Sequence, residues 1–310
     1  MNWNGVIPAV TTPFDPNGEI KQDWMKRHLR WLIGAGCHGI VPLGSLGEGA
    51  TLSFDEKRTV LSLSCEAVGA DGVVVAGIAA LSTREAVKLA QEAEKIGCHG
   101  LMVLPPYAYS SDWFEMKSHV RAVIESTALS CMLYNNPIAY KTDFLPAQIA
   151  ELAQECPSLQ AVKESSSDVR RIAALKELLD DRLHLLVGVD DLIVEGIKAG
   201  AVGWIAGLAN AFPKESVELF RLASTEHDEE LWKLYRWFLP LLRLDTIVKF
   251  VQAIKFVQEE AGAGFALTRP PRLALTEAER TQVRHILKKA LSEPVLKPMP
   301  SLAKGSADRT

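Results

Sequence analysis

Apolar residues in this 310-residue chain do not alternate with polar ones; they come in short unbroken runs, many β-branched, separated by longer stretches with helical spacing. Runs at residues 5–10, 39–43, 73–78, 100–104, 131–134, 160–163, 183–187 and 203–208 have strand length. Continuous apolar runs of this kind suit parallel strands covered on both faces. The intervening stretches carry helix-start signals. Ser53-Phe54-Asp55-Glu56 and Ser82-Thr83-Arg84-Glu85 both fit the capping box, in which a serine and the glutamate three residues on satisfy each other's backbone N–H groups.

Eight strand–helix units within about 220 residues predict an α/β fold, a (β/α)8 TIM barrel. The competing open, doubly wound sheet ordinarily has a glycine-rich phosphate loop after its first strand. Here that place holds Thr11-Thr12-Pro13-Phe14-Asp15. A repeated punctuation supports the barrel. Gly36-Cys37-His38-Gly39, Gly97-Cys98-His99-Gly100 and Gly200-Ala201-Val202-Gly203 each place a helix-ending glycine just before a strand. The two Cys-His pairs precede their strands, on the barrel face that carries stability rather than chemistry, so they read as structural.

Beyond residue 208 the strand pattern stops. Helical spacing covers 215–223, 229–242, 246–261 and 276–291, which predicts a C-terminal helical extension. The expected division is a barrel carrying the active site over residues 1–225, helices over 226–295, and a loosely ordered tail over 296–310, rich in Pro, Ser, Gly and Lys. Trp232, Trp237, Phe238 and Phe250 read as core or subunit-contact residues.

Composition narrows the function. Hydrophobic residues make up 48% and charged residues 23%, ample for a sizeable core. A net charge of −4 gives no basic footprint for nucleic acid. No apolar run approaches the ~20 residues of a membrane helix, and the first residues lack a signal-peptide pattern. The five cysteines form an odd set without CxxC spacing and read as small buried hydrophobes in a reducing, cytoplasmic setting.

In such a barrel, chemistry collects at the C-terminal strand ends. The segment Ala161-Val162-Lys163-Glu164-Ser165 delivers a lysine there. An ammonium buried without a partner is costly, so either the amine reaches water or Glu164, or it is a desolvated nucleophile able to form a Schiff base with a carbonyl. Gly44-Ser45-Leu46-Gly47-Glu48 flanks a hydroxyl with glycines, so its backbone N–H groups could converge on a carboxylate, or it is an ordinary turn. Tyr134 closes a strand before Asn135-Asn136-Pro137, either packed there or as a proton shuttle. Asp190-Asp191 read as a cap and first-turn acid of the next helix. No histidine clusters with them, which argues against a metal site.

Taken together, these strand ends resemble the dihydrodipicolinate synthase/N-acetylneuraminate lyase family of class I Schiff-base enzymes. The resemblance rests on Gly44-Ser45-Leu46-Gly47-Glu48, Tyr134-Asn135-Asn136-Pro137 and Val162-Lys163-Glu164-Ser165, in that order and at similar spacing, and runs from about residue 6 to the last helices. It implies imine formation at Lys163, proton relay by Tyr134, and a carboxylate held by Ser45 and the backbone of Leu46, with Gly188 and Ile205 lining the pocket. It implies no cofactor, a small 2-oxo acid or cyclic imine carboxylate as partner, and a homo-oligomer built as a dimer of dimers. Three positions depart from the synthase pattern. Leu46 stands in place of a second hydroxyl, Tyr107-Ala108 in place of a tyrosine pair, and Ile138-Ala139-Tyr140-Lys141 offers no arginine for a second carboxylate.

The wording of the segments, with Gly203-Trp204-Ile205-Ala206-Gly207-Leu208 and Asn210-Ala211-Phe212-Pro213, resembles the 1-pyrroline-4-hydroxy-2-carboxylate deaminases of hydroxyproline degradation. The expected reaction is therefore conversion of that pyrroline to 2,5-dioxopentanoate and ammonia. The alternatives are a 2-oxo-acid aldolase or dehydratase of the same family, acting on a sugar acid or in the manner of the synthase, and a non-catalytic barrel that binds a small carboxylate.

Overall fold

The computed structural model describes residues 1–107, 111–225, 228–297, 299 and 302. Ala108 and all but four positions of the 296–310 tail lie outside the described residues. The eight apolar runs form parallel strands: β1 (Gly5–Val6), β2 (Gly39–Ile40), β3 (Val73–Ile78), β4 (Gly100–Val103), β5 (Ser130–Asn135), β6 (Leu159–Glu164), β7 (His184–Val187) and β8 (Gly203–Trp204). They are hydrogen-bonded in the order β1-β8-β7-β6-β5-β4-β3-β2. The remaining seam, between β1 and β2, is closed by a parallel bridge from Ala9 to Val41 and by the Val10 amide on the Val41 carbonyl at 3.0 Å. With helices between successive strands, this is a (β/α)8 TIM barrel.

Three runs ladder for fewer residues than their apolar length suggests. In β1, β2 and β8 only two residues pair regularly, and the backbone beyond them bends to form the mouth. Burial without strand geometry explains the difference: Val10, Val41, Leu43, Ile205 and Ala206 are buried but belong to loops. Local signals hold elsewhere. Ser53 and Glu56 form the reciprocal capping box of helix Phe54–Val68, and Ser82 accepts the Glu85 amide at 3.3 Å. Gly36, Gly97 and Gly200 take positive φ values of 101°, 97° and 110°, where a β-carbon is disfavoured.

The stability face behaves as its position predicts. His38 Nδ1 accepts the Val6 amide at 3.2 Å and His99 Nδ1 the Val74 amide at 3.1 Å, each tying its loop to a neighbouring strand. Helices Pro213–Ala223, Asp228–Leu242 and Glu277–Ser292 form near their expected bounds. Trp237 and Phe238 stack at 5.4 Å, both edge-on to Phe212, and Trp237 donates to the Ala290 carbonyl.

The helix expected over 246–261 starts late. A 3-10 turn covers Arg243–Thr246 and the helix runs over Phe250–Glu260. The cause is Asp245, which turns toward the barrel and accepts the Asp190 amide at 3.3 Å, carrying the backbone over the mouth. No helix among the described residues is long and apolar enough to cross a membrane.

Candidate active site

Strand alternation sets the first element of the site. On β6, Lys163 shares the inward face with Leu159 and Ala161, while Glu164 points the other way. Glu164 accepts Asn135 Nδ2 at 3.1 Å and the Ser166 amide at 2.7 Å, and burial raises its pKa. It is therefore not the partner of Lys163. Register pairs Lys163 with Tyr134 on β5, so the two side chains project together. Lys163 Nζ sits 4.0 Å from the centre of the Tyr134 ring and has no hydrogen-bond or ion-pair partner among the described residues, although the residue is only 6% exposed.

Gly188, at the end of β7, leaves room for this lysine. A β-carbon there would lie 2.6 Å from Lys163 Cε and 1.9 Å from Ser165 Oγ, so no other residue fits without displacing the amine. The Ser165 hydroxyl is buried in the same wall with no hydrogen-bond partner among the described residues. An orphaned buried hydroxyl facing a cavity is one that a ligand can satisfy.

The cavity holds about 520 Å³ at the mouth of the barrel. Ser45, Leu46, Tyr134, Lys163, Gly188 and Ile205 all line it, so the structure brings together every site residue expected from sequence. The Ser45 loop is held in an unusual conformation by non-glycine residues with positive φ, Leu43 at 66° and Glu48 at 54°. The Ser45 and Leu46 amides donate to no described residue, which leaves both free for an anion. Leu46 is buried and presents an apolar surface beside them.

Glu48 fixes this loop from beneath. Its carboxylate is wholly buried and meets Lys255 Nζ at 2.8 Å and the Arg269 amide at 3.0 Å; Lys255 also donates to the Thr12 carbonyl at 2.9 Å. Burial lowers the Lys255 pKa, and Glu48 offsets part of that shift. This second buried lysine is fully partnered and outside the cavity lining.

Asp190 is not the cap of the following helix. Its carboxylate crosses to the β8 loop, accepting Trp204 Nε1 at 3.0 Å and the Gly207 and Leu208 amides at 2.9 and 2.7 Å. Burial pushes its pKa up to about 6. Asp245 lies beside it on the cavity wall, held well above the usual carboxylate range by desolvation and by the Asp190 charge.

Three contributors were not found by reading strand ends. Tyr140 lies on the short helix Pro137–Tyr140, and its hydroxyl is hydrogen-bonded to Ser45 Oγ. Asp245, with the Thr246–Val248 segment, comes from the C-terminal extension, and Arg272 from the turn after Pro270-Pro271. Arg272 supplies the guanidinium that the Ile138-Ala139-Tyr140-Lys141 segment lacks, 4.0 Å from Glu48 Oε2. Only the third-dimensional return of the chain reveals these; Pro270-Pro271 marked a turn but not where it points. A further cavity of about 600 Å³ lies between helices of the extension, lined largely by apolar side chains, with Lys249 and Glu279 paired at its edge. The groups able to do covalent chemistry are at the barrel mouth. Among the described residues, no group of three or more His, Cys, Asp or Glu side chains could hold a metal ion.

Fold and cavity together define a barrel enzyme of the lysine-dependent lyase class. The chain belongs to the Dihydrodipicolinate synthetase family, whose profile matches residues 2–290. It is similar to the 4-hydroxy-tetrahydrodipicolinate synthase of Methanopyrus kandleri, 32% identical over 286 residues, covering 92% of this chain and 95% of that one. The Rhizobium meliloti enzyme of that name is 32% identical over 274 residues, 88% of this chain and 90% of its own. Among solved structures, the synthase of Methylacidiphilum fumariolicum superposes with a TM-score of 0.90 at 29% identity, over 94% of this chain and 97% of that one. The Acinetobacter baumannii dihydrodipicolinate synthase complexed with pyruvate gives 0.89 at 27% identity, over 93% and 99%. Members of this family are class I lyases that work through a lysine Schiff base.

Proposed function

We propose that Lys163 is the imine-forming lysine and that the substrate is 1-pyrroline-4-hydroxy-2-carboxylate, released as 2,5-dioxopentanoate and ammonia. The observation that carries the reading is the Lys163 amine, unpartnered among the described residues, in the lining of a cavity with Tyr134 beside it. Ser45 and Leu46, whose amides donate to no described residue, are in the same lining. The carboxylate of a cyclic imine would take those amides, which presents C2 to the lysine. Attack at C2 opens the ring, leaving a lysine imine and a free amine on C5. Loss of a C3 proton and departure of the 4-hydroxyl, protonated to water, give a conjugated imine. Moving a proton from C5 to C3 shifts the double bond to C4–C5 as an enamine. The enamine takes a proton at C4 and loses one from nitrogen to become a C5 imine. Hydrolysis of the C5 imine releases ammonia, and hydrolysis of the lysine imine frees the enzyme. Two hydrolyses consume two waters and the elimination returns one. Tyr134 and Ser45 are the groups that move these protons.

Leu46, Ile138 and Ala139 support a small monocarboxylate, because they make much of the rim apolar. We propose in the same reading that the chain assembles as a dimer of dimers, which light scattering of the purified protein tests. Incubation with the pyrroline tests the reaction: ammonia should appear, and none above a Lys163→Ala control would overturn the assignment.

A second reading, an aldolase or synthase-like reaction of a 2-oxo acid, is favoured by Arg272 at the rim and by the names of the relatives. It predicts pyruvate consumption or release instead of ammonia. Arg272→Leu separates the two: a large rise in KM would point to a substrate with a second anionic group, and an unchanged KM to the monocarboxylate.

A further inference from the structure

We infer that the Tyr140 hydroxyl is the outer member of a proton relay that reaches the reacting carbon through Ser45. This inference rests on an imine at Lys163, but not on which substrate forms it. Ser45 needs a proton source once it has given its own, and Tyr134 is not hydrogen-bonded to it. The partner that Ser45 Oγ has is Tyr140, from the same chain and inside the same cavity.

The residue is placed, not merely nearby. Asn136 Oδ1 accepts the Ala139 amide at 3.0 Å and the Asn136 carbonyl accepts the Tyr140 amide at 3.0 Å, building the single turn that carries the ring inward. Asn136 Nδ2 also donates to the Tyr134 hydroxyl at 2.9 Å, so one side chain orients both tyrosines. The Tyr140 ring stands edge-on to Tyr134 with centroids 5.7 Å apart, and lies 5.8 Å from the half-buried Tyr107. Burial holds the Tyr140 pKa far above its ordinary value, so it serves as a neutral hydroxyl that passes a proton rather than as a phenolate.

The step balances without a co-reactant. As Lys163 N bonds to C2 of a 2-oxo acid, the C=O π bond breaks and the oxygen takes the proton that the amine loses, becoming a hydroxyl. The C2–O bond then breaks and the oxygen leaves as water with the Ser45 proton. Ser45 takes the Tyr140 proton, and the Tyr140 oxygen takes one from solvent entering the open cavity that it lines. No net charge stays on either hydroxyl. For a cyclic imine, the ring nitrogen is the leaving group and receives that same proton.

Tyr140→Phe removes the hydroxyl and keeps the ring packing. With pyruvate as the probe, the rate of borohydride-trappable imine formation at Lys163 should fall about 10²-fold, while the final extent of trapping stays the same. A lower extent at an unchanged rate would overturn the relay, because it would show lost binding. Ser45→Ala and the double variant Ser45→Ala/Tyr140→Phe give the second readout. Groups in series should make the double variant no slower than Ser45→Ala, and multiplying effects would overturn the relay even if Tyr140→Phe alone folds poorly. Wild-type protein that traps no pyruvate would overturn the Schiff-base reading itself, whereas an undiminished rate of trapping in Tyr140→Phe overturns the relay alone.

Discussion

Lys163 and Lys255 are both buried in this barrel, and they differ in nearly everything else. Lys255 is locked by Glu48 and the Thr12 carbonyl and ties the Ser45 loop to helix Phe250–Glu260. Lys163 has a tyrosine face, an open cavity and no hydrogen-bond acceptor among the described residues. The buried pair gives position and the unpaired amine gives reactivity. Burial alone therefore does not mark a catalytic lysine; the absence of a partner in a cavity does.

The largest expected effect breaks the comparison at Lys163. Lys163→Ala should lower kcat by more than about 10³-fold and change the unfolding midpoint little, since no hydrogen bond or close ion pair among the described residues is lost. Steady-state kinetics and thermal melts together check this; a large stability loss with activity retained would show that Lys163 is structural. Glu48→Gln should do the reverse, destabilising the fold by about 3–5 kcal/mol by stranding the Lys255 charge, as read by denaturant unfolding.

Gly188→Ala sharpens the claim that the Lys163 amine is held in place. The added methyl must displace Lys163 Cε or Ser165 Oγ, so activity should fall about 10²-fold through misplacement of the nucleophile. The stability cost should be about 1–3 kcal/mol.

The smallest effect concerns Asp190, whose carboxyl is raised from the ordinary 3.8 to about 6 by burial. Between those pH values the folded state binds more protons than the unfolded state, so this group's contribution to stability falls as pH rises through the window. The loss is on the order of 2–3 kcal/mol. His28 acts with the opposite sign. Its pKa is lowered from 6.5 to about 4 by burial, so it removes stability as pH falls through that range. The difference between wild type and Asp190→Asn isolates the first effect. The variant should gain stability relative to wild type as pH rises from about 4 to 6, and parallel melting curves would contradict it.

Much of the fold was legible because barrel strands are buried on both faces and announce themselves as apolar runs, as β3 does over Val73–Ile78. The shortened β1, β2 and β8 were not legible, since an apolar loop residue such as Val10 or Ile205 has the composition of a strand residue. Residues at strand ends were found by position: Ser45, Tyr134, Lys163 and Gly188 each follow or end a run. Tyr140, Asp245 and Arg272 were missed because they reach the cavity from a short turn, a 3-10 turn and a distant loop. Asp245 in particular falls in the gap between the helices expected over 229–242 and 246–261, and nothing marks it until its carboxylate is seen to accept the Asp190 amide.

The central claim is the covalent one. Borohydride reduction in the presence of pyruvate, followed by peptide mass spectrometry, should place a single adduct on Lys163, with Lys255 unmodified. No adduct, or an adduct on Lys255 or another lysine, would contradict the account.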